Sequence, residues 1–493
     1  MTDQPSSSSD AASRGPIQPA TGTRDFYPIE LARRRWIEDK WRTTAIRHGF
    51  EEIDGPTFEP TDLYTRKSGD GIVSEIFGVY SGKDEARVKQ MGQRLAAGDA
   101  GAIAPYALRP EFTPTLARMF AARAGQLPKP TKWFWQQNCY RAEKPQRGRL
   151  REFMQWNCDI IGGVPKPETA SGATGAAALL EQMTQRASEN AELDAEVIAC
   201  CVELLQRCGL TSSNMKVRFN DRSVLGAIVG RLGVDAEHHA AAFALIDRRG
   251  KLEDADLEAM AFEFGIHSTE FIQFLKRPRS DDDLGTALET LPVENREDAA
   301  RLLAPLSGLK ELLSRAGCAE WCTVDMNIAR GLAYYTGMVF EVIVDGERAV
   351  AGGGRYDNLI ETFGGPPTPA VGFGMGDVVL SLILQDKGRM PSDKQIAADL
   401  KLRPDAFVIS NGTTESDALV PVLLARLRRD GLHARRSYKS TGKISKLLKE
   451  ASDTHSRYAI IVESETEITL KDMDANTQDR GPREELLGRI KPA

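Results

Sequence analysis

No Cys-x-x-Cys pair occurs in this chain, and none of its 7 cysteines stands with partners at zinc spacing. Cys200-Cys201 and the Cys318/Cys322 pair lack matching histidines or further cysteines. An odd number of thiols cannot pair completely, so reduced and mostly buried cysteines in a cytoplasmic protein are expected. Histidine is scarcer still. Its 6 positions, His48, His238, His239, His267, His433 and His455, fall outside the arginine- and glycine-rich blocks described below, so histidine acid–base chemistry is not expected there. Long apolar runs are missing too. Segments such as Tyr458–Val462 are far too short to cross a bilayer, and the N-terminus has no apolar core of the signal-peptide kind. Net charge is only -6, so any nucleic-acid partner needs a local basic surface.

What remains is an ordinary globular composition, 41% hydrophobic and 27% charged, so most of the chain is expected to fold. At 493 residues it exceeds one compact core, and two or three domains are expected. Residues 1–20, with their run of serines at 6–9, read as a disordered tail.

Ile37, Trp41 and Ala45 repeat at helical spacing, with charges between them, and predict an amphipathic helix over Leu31–His48 that Gly49 stops. An extended segment follows to Glu59, broken at Gly55-Pro56. Trp133 to Gln136 and Phe153 to Ile160 read as buried aromatic strands. The basic loop Arg141–Arg151 joins them into a hairpin with a cationic tip, with Arg141 and Glu143 spaced to point to one side. A helix over Ala173–Gln206, a short strand at Met215–Asn220 and a capped helix over Asp221–Leu232 come next, and helical patterns continue to about Arg315. Beyond Met390 a polar stretch to Pro404 reads as a linker. From Ala406 strands and helices alternate, predicting a small α/β domain with a mostly parallel sheet. That domain carries Arg426, Arg428, Arg429, Arg435, Arg436, Lys439, Lys443, Lys446 and Lys449, the local basic surface that a nucleic acid requires.

Two blocks are richer in chemistry. Arg330-Gly-Leu-Ala-Tyr-Tyr-Thr-Gly-Met-Val-Phe-Glu341 reads as a loop feeding a strand, and Gly352-Gly-Gly-Arg-Tyr-Asp357 turns on three glycines. Gly372-Phe-Gly-Met-Gly376 is spaced like a dinucleotide loop, but no βαβ unit surrounds it.

Taken with Thr21–Phe26, the Pro56 segment, Leu108–Thr113, the Arg141 loop and Lys471-Asp472-Met473, the two blocks occur in an order that resembles histidyl-tRNA synthetases over nearly the whole length. The resemblance implies an α+β catalytic domain on an antiparallel sheet, of class II synthetase type, over residues 21–194 and 316–390. A mostly helical insertion at 195–315, a linker at 391–404 and a C-terminal α/β anticodon-binding domain at 405–493 complete the expected division. It further implies a cytoplasmic homodimer, assembled through the helix–strand motif that ends at Pro56. The partners are L-histidine, ATP and tRNA(His), with Mg²⁺ bound through the ATP phosphates and no metal ligands on the protein.

The implied chemistry is activation of histidine to its adenylate, then transfer to the tRNA 3′ end. In-line phosphoryl transfer needs positioning and positive charge more than covalent help. By resemblance Arg141 and Arg330 flank the α-phosphate. Glu143 meets the adenine, and Arg149 and Arg355 complete an ATP set. Histidine is implied to bind Glu111, Phe112, Thr113, Arg141, Gln155, Asp159, Arg330, Tyr334 and Tyr335. A carboxylate and a hydroxyl suit an imidazole with one donor and one acceptor, and such a pocket rejects analogues by roughly 10⁴. No segment reads as an editing domain.

The chain departs from the family pattern at three points. Ala333 stands where aspartate is usual. Asp159 stands where glutamate is common, which moves the carboxylate by about 1.5 Å. Val379 replaces the arginine of the third motif, and Arg355 or a nearby cation is expected to compensate. A different class of function, a non-catalytic relative such as the regulatory subunit of ATP phosphoribosyltransferase, would lack the C-terminal domain. This chain keeps that domain together with Arg141, Glu143 and Arg330.

Overall fold

The computed structural model describes residues 16–68, 74–81, 83, 85–97, 104–163, 176–249, 252–276, 296–329, 334–344, 349–439 and 443–490. Most of the expected tail at 1–20 lies outside them, as do Arg330 and Ala333. The chain divides into two compact units, residues 1–25 with 38–390 and residues 26–37 with 391–493.

Strands of the first unit, in chain order, are β1 (Glu51–Glu52), β2 (Phe58–Pro60), β3 (Gly78–Val79), β4 (Tyr106–Leu108), β5 (Thr131–Tyr140), β6 (Glu152–Ile161), β7 (Lys216–Asp221), β8 (Cys322–Val324), β9 (Met338–Ile343), β10 (Ala351–Arg355) and β11 (Ala370–Gly376). Eight of them form one sheet in the order β1-β5-β6-β11-β10-β9-β7-β8. All pairs from β5 across to β7 are antiparallel. Only the edge pairs β1/β5 and β7/β8 are parallel. The expected antiparallel sheet is therefore present. The remaining three strands make a small sheet in the order β2-β4-β3.

Alternation along β6 sets the two faces. Trp156, Cys158 and Ile160 point to the back, where Trp156 stacks on Trp41 at 6.0 Å and meets Phe373 edge-on at 5.0 Å. The long helix Ala176–Arg207 packs on the same strands from behind. The other face carries Gln155, Asn157 and Asp159. It is covered near β5 by the helix Thr113–Ala121, whose Leu116 and Phe120 join Phe112, Trp133 and Trp135 in one core. Pro114 starts that helix where a backbone N–H has no partner to lose.

Two expected boundaries move. β7 falls within the helical insertion expected at 195–315, yet it is a strand of the large sheet, between β9 and β8. Position 195 falls in the middle of the helix Ala176–Arg207, so it marks no break. Asp221 ends β7 and caps the next helix, Arg222–Arg231, accepting from Ser223 N at 2.8 Å. All seven cysteines are buried and free.

The second unit holds β12 (Ala406–Ser410), β13 (Ala434–Arg436), β14 (Tyr458–Val462), β15 (Glu467–Asp472) and β16 (Thr477–Pro482), in the order β13-β12-β14-β15-β16. β12 is parallel to β13 and β14, but β14/β15 and β15/β16 are antiparallel. The expected mostly parallel sheet is thus half antiparallel, because short hairpins can return a chain only in the opposite direction. The stretch 391–404, expected as a linker, instead carries the helix Asp393–Asp399, capped by Ser392 and anchored by the buried Ile396. Arg33 clasps Asp393 and Trp36 donates to Asp399 at 3.0 Å within the same unit. Among the described residues no helix is long and apolar enough to cross a membrane.

Candidate active site

The exposed face of the large sheet opens into a cavity of about 1050 Å³. Its floor is a set of rows fixed by strand register. Asp159, Gly372 and Gly354 are partners across β6, β11 and β10, and Asn157, Gly374, Gly352, Glu341 and Arg218 form the next row. The glycines keep this floor low. A Cβ at Gly372 would fall on the Asp159 carboxylate, and one at Gly374 on the Gln155 amide nitrogen. Side chains of β6 can therefore lie across the neighbouring strand.

Asp159 is the most confined acid here. Tyr356 donates its hydroxyl to Asp159 Oδ1 at 2.5 Å, while Oδ2 is buried without a partner among the described residues. Burial pushes the Asp159 carboxyl up to about 7, against the opposing pull of the Tyr356 hydroxyl and the Lys67 charge. Lys67, from the helix Thr61–Ser68, has a side chain with no solvent exposure. Its ammonium lies 2.6 Å from Glu111 Oε2 and 3.7 Å from the centre of the Tyr334 ring. Burial lowers its pKa, and Glu111 works against that shift. Tyr334 and Tyr335 stand side by side at 4.7 Å, and the Tyr335 ring lies against Gly354.

At the other end sit Arg141, Glu143 and Arg149. Arg141 donates from Nε to Pro110 O at 3.2 Å and rests over the Phe153 ring. Glu143 pairs with Arg149 through Oε1, which leaves Oε2 buried and unpartnered among the described residues. Val379 lines this end and offers no charge.

Most of the expected site residues therefore share one cavity: Glu111, Thr113, Arg141, Glu143, Arg149, Gln155, Asp159, Tyr334 and Tyr335 all line it. Arg330 lies outside the described residues. Two expectations are corrected. Phe112 is fully buried and stacks on Trp135 at 4.3 Å, so it holds the loop down and does not line the cavity. Arg355, expected among the ATP ligands and as the replacement for the missing arginine, is buried beneath the sheet strands. It grips Asp194 at 2.5 Å and Asp357 at 3.3 Å, and its charge is spent there. Lys67, Tyr356 and Asn157 were not anticipated. Tyr356 had a signal, its place beside Arg355 in the glycine block. Lys67 had none, because a single lysine in Thr-Arg-Lys-Ser looks like any surface residue.

An antiparallel sheet whose strand–basic loop–strand hairpin and glycine-lined strand floor one open cavity is the catalytic fold of the class II aminoacyl-tRNA synthetases. The structure of a histidyl-tRNA synthetase from Nostoc sp. PCC 7120 has this fold, with a TM-score of 0.69 and 21% identity over 97% of this chain and 100% of that one. The family model for histidyl-tRNA synthetase matches residues 22–183 and 186–376. Histidine–tRNA ligases from Opitutus terrae and Haloarcula marismortui are 32% and 34% identical, over 96% and 93% of this chain and 98% and 94% of theirs. The chain belongs to the histidyl-tRNA synthetase family.

Proposed function

We propose that this chain is a histidine–tRNA ligase, joining L-histidine to ATP as the adenylate and then to the 3′ end of tRNA(His). One observation carries the reading: a buried carboxylate oxygen, Asp159 Oδ2, has no donor among the described residues and lies at the end of the cavity. Neutral imidazole offers one N–H and one bare nitrogen. Asp159 accepts from the first. The Tyr356 hydroxyl is given to Asp159, and Tyr335, which lines the same cavity, donates to the second. Glu111, with one oxygen held by Lys67 and the other available, and Thr113 receive the α-ammonium.

ATP enters as its Mg²⁺ complex. Glu143 Oε2 suits the adenine amino group, and Arg141 and Arg330 act on the α-phosphate as the histidine carboxylate attacks it and pyrophosphate leaves. Positive groups placed in advance stabilise the charge that builds on the phosphoryl oxygens. Arg149, through its pair with Glu143, orients the adenine acceptor.

Residues 391–493 form the tRNA-binding part in this reading. Lys443, Lys446 and Lys449 are exposed at one-turn spacing, and Arg436 lies over the exposed Tyr438 ring at 4.5 Å. Other cations of the basic run are partly neutralised, Arg426 by Glu484 and Lys439 by Glu450. A cytoplasmic homodimer fits the exposed aromatic pair Phe58 and Tyr106, which meet edge-on at 5.8 Å on the small sheet.

The test is histidine-dependent ATP–pyrophosphate exchange. Arg330→Ala and Arg141→Ala should each lose at least about 10² of it. Lys446→Glu with Lys449→Glu should slow tRNA charging while sparing exchange. Histidine binding by the wild type without any exchange would replace this reading with a regulatory, non-catalytic one.

A further inference from the structure

The cavity has a second polar end, on the far side of the sheet from the β5–β6 hairpin. Arg218 of β7, Glu341 of β9 and, after β8, Asp325 and Asn327 line it there. Asp247 joins them from the helix His239–Arg248. The segment 325–328 is pinned to β7. Asp325 N donates to Phe219 O at 2.9 Å, and the buried Asn220 amide donates to Ile328 O at 3.0 Å.

The Asn327 amide is held in one orientation. Asp325 Oδ1 accepts from the Asn327 backbone N–H at 2.9 Å and from its Nδ2 at 2.8 Å, while Arg218 donates to Asp325 Oδ2 at 3.2 Å. A carboxylate only accepts, so the prong that meets it is the N–H₂ and the other prong is Oδ1. That oxygen is buried without a donor among the described residues, in a side chain whose residue is 4% exposed. Buried amides are nearly always satisfied, so an unmet acceptor on a cavity wall suits a ligand that brings an N–H or O–H.

The surroundings narrow the donor. Asp325 and Glu341 share this wall, which disfavours a phosphate. The acids do not gather around one metal ion either, since among the described residues the one cluster close enough is Asp235, Glu237 and His238. The N–H groups of histidine and the adenine amino group have acceptors elsewhere, at Glu111, Thr113, Asp159 and Glu143. The donors left on ATP are its ribose hydroxyls, and the 3′ end of the tRNA carries the same groups.

We propose that Asn327 is a nucleotide-binding residue whose Oδ1 accepts from a ribose hydroxyl, that of ATP or that of the 3′-terminal nucleotide of the tRNA. The proposal rests on the histidine–tRNA ligase reading of this cavity.

Two series of substrates separate the sources, each measured on the full-length wild type and on Asn327→Ala. ATP, 2′-deoxy-ATP and 3′-deoxy-ATP are compared in histidine-dependent pyrophosphate exchange. Transcripts of tRNA(His) ending in adenosine, 2′-deoxyadenosine or 3′-deoxyadenosine are compared as competitors of charging. In one series the wild type should prefer the full ribose by about fivefold or more. Asn327→Ala should bring that preference within about twofold by weakening the parent compound alone. Asn327→Leu, of similar size and without an acceptor, replaces alanine if that variant does not fold. An effect in the first series places the hydroxyl on ATP, and one in the second places it on the tRNA. A wild type that treats every member of both series alike would overturn the proposal without any variant. A preference that survives the substitution unchanged would overturn it as well. Wild-type protein lacking exchange with ATP itself would remove the ligase reading and this proposal with it, whereas failure of the subsite alone leaves that exchange intact.

Discussion

Tyr356 reaches across the floor of the cavity to donate its hydroxyl to Asp159 at 2.5 Å, and both groups are buried. The glycine block and the β6 strand are therefore one device. The phenol holds the carboxylate in place, fixes which oxygen is spent and leaves the other without a partner among the described residues.

That bond gives a pH signature. Burial has raised the Asp159 carboxyl to about 7, and the hydroxyl counteracts the rise. The ionised carboxylate is the stronger acceptor for the proposed imidazole contact, so histidine affinity should fall as pH drops from 8 to 6. Tyr356→Phe removes the opposing influence, so the fall should begin at higher pH. Titration of free histidine is common to both proteins and cancels in the comparison. Superimposable affinity–pH curves for wild type and variant would exclude the role.

Lys67 supplies the charge that Asp159 and Glu111 share. Lys67→Met should raise the KM for histidine in pyrophosphate exchange by about tenfold, since Glu111 loses its partner and Asp159 a stabilising cation. The KM for ATP should change little. A selective ATP defect would place Lys67 in a different role.

Arg355 has a structural role. Removing one member of a buried ion pair typically costs about 3–5 kcal/mol, because the other charges stay behind without compensation. Arg355→Met should therefore lower stability in urea on that order, stranding Asp194 and Asp357. Folded variant with an ATP KM raised tenfold at unchanged stability would restore the expected nucleotide contact.

His48, in the turn after the helix Pro28–Arg47, is held to the long helix behind the sheet. Its ring nitrogens lie 3.1 Å from Glu196 and 2.8 Å from Glu203, and Lys132 reaches Glu196 at 2.9 Å. The Glu196 bond, opposed by burial, raises His48 to about 9. A pKa raised on folding stabilises the folded state fully below the unfolded value near 6.5, and the benefit fades as pH climbs through 9. Thermal stability should decline between those limits by on the order of 1 kcal/mol, and His48→Asn should flatten the decline.

Local structure was legible wherever apolar residues repeat at the period of the element. Ile37, Trp41 and Ala45 announce a helix, and the aromatics of β5 and β6 announce the hairpin. β16 was not legible, because Thr-Gln-Asp-Arg-Gly-Pro has no buried side chain to mark a period. The placement of β7 in the large sheet depends on pairing with β9, more than a hundred residues away, and no local pattern encodes such a partner. The site was legible through its motifs, which give residue types and order. Arg355 misled because its acid, Asp194, lies far away on a helix with no motif of its own. Lys67 was invisible for the converse reason: burial, not identity, makes it unusual.

The bare strand β11 has a consequence for redesign. It lends no side chains to the ground beneath the ligand, so its backbone already marks the maximum depth there. Shaving residues from that strand gains no room for a bulkier amino acid. Widening has to come from the walls, from Tyr335 or Tyr356, and each of those would help define the ring in the proposed pocket.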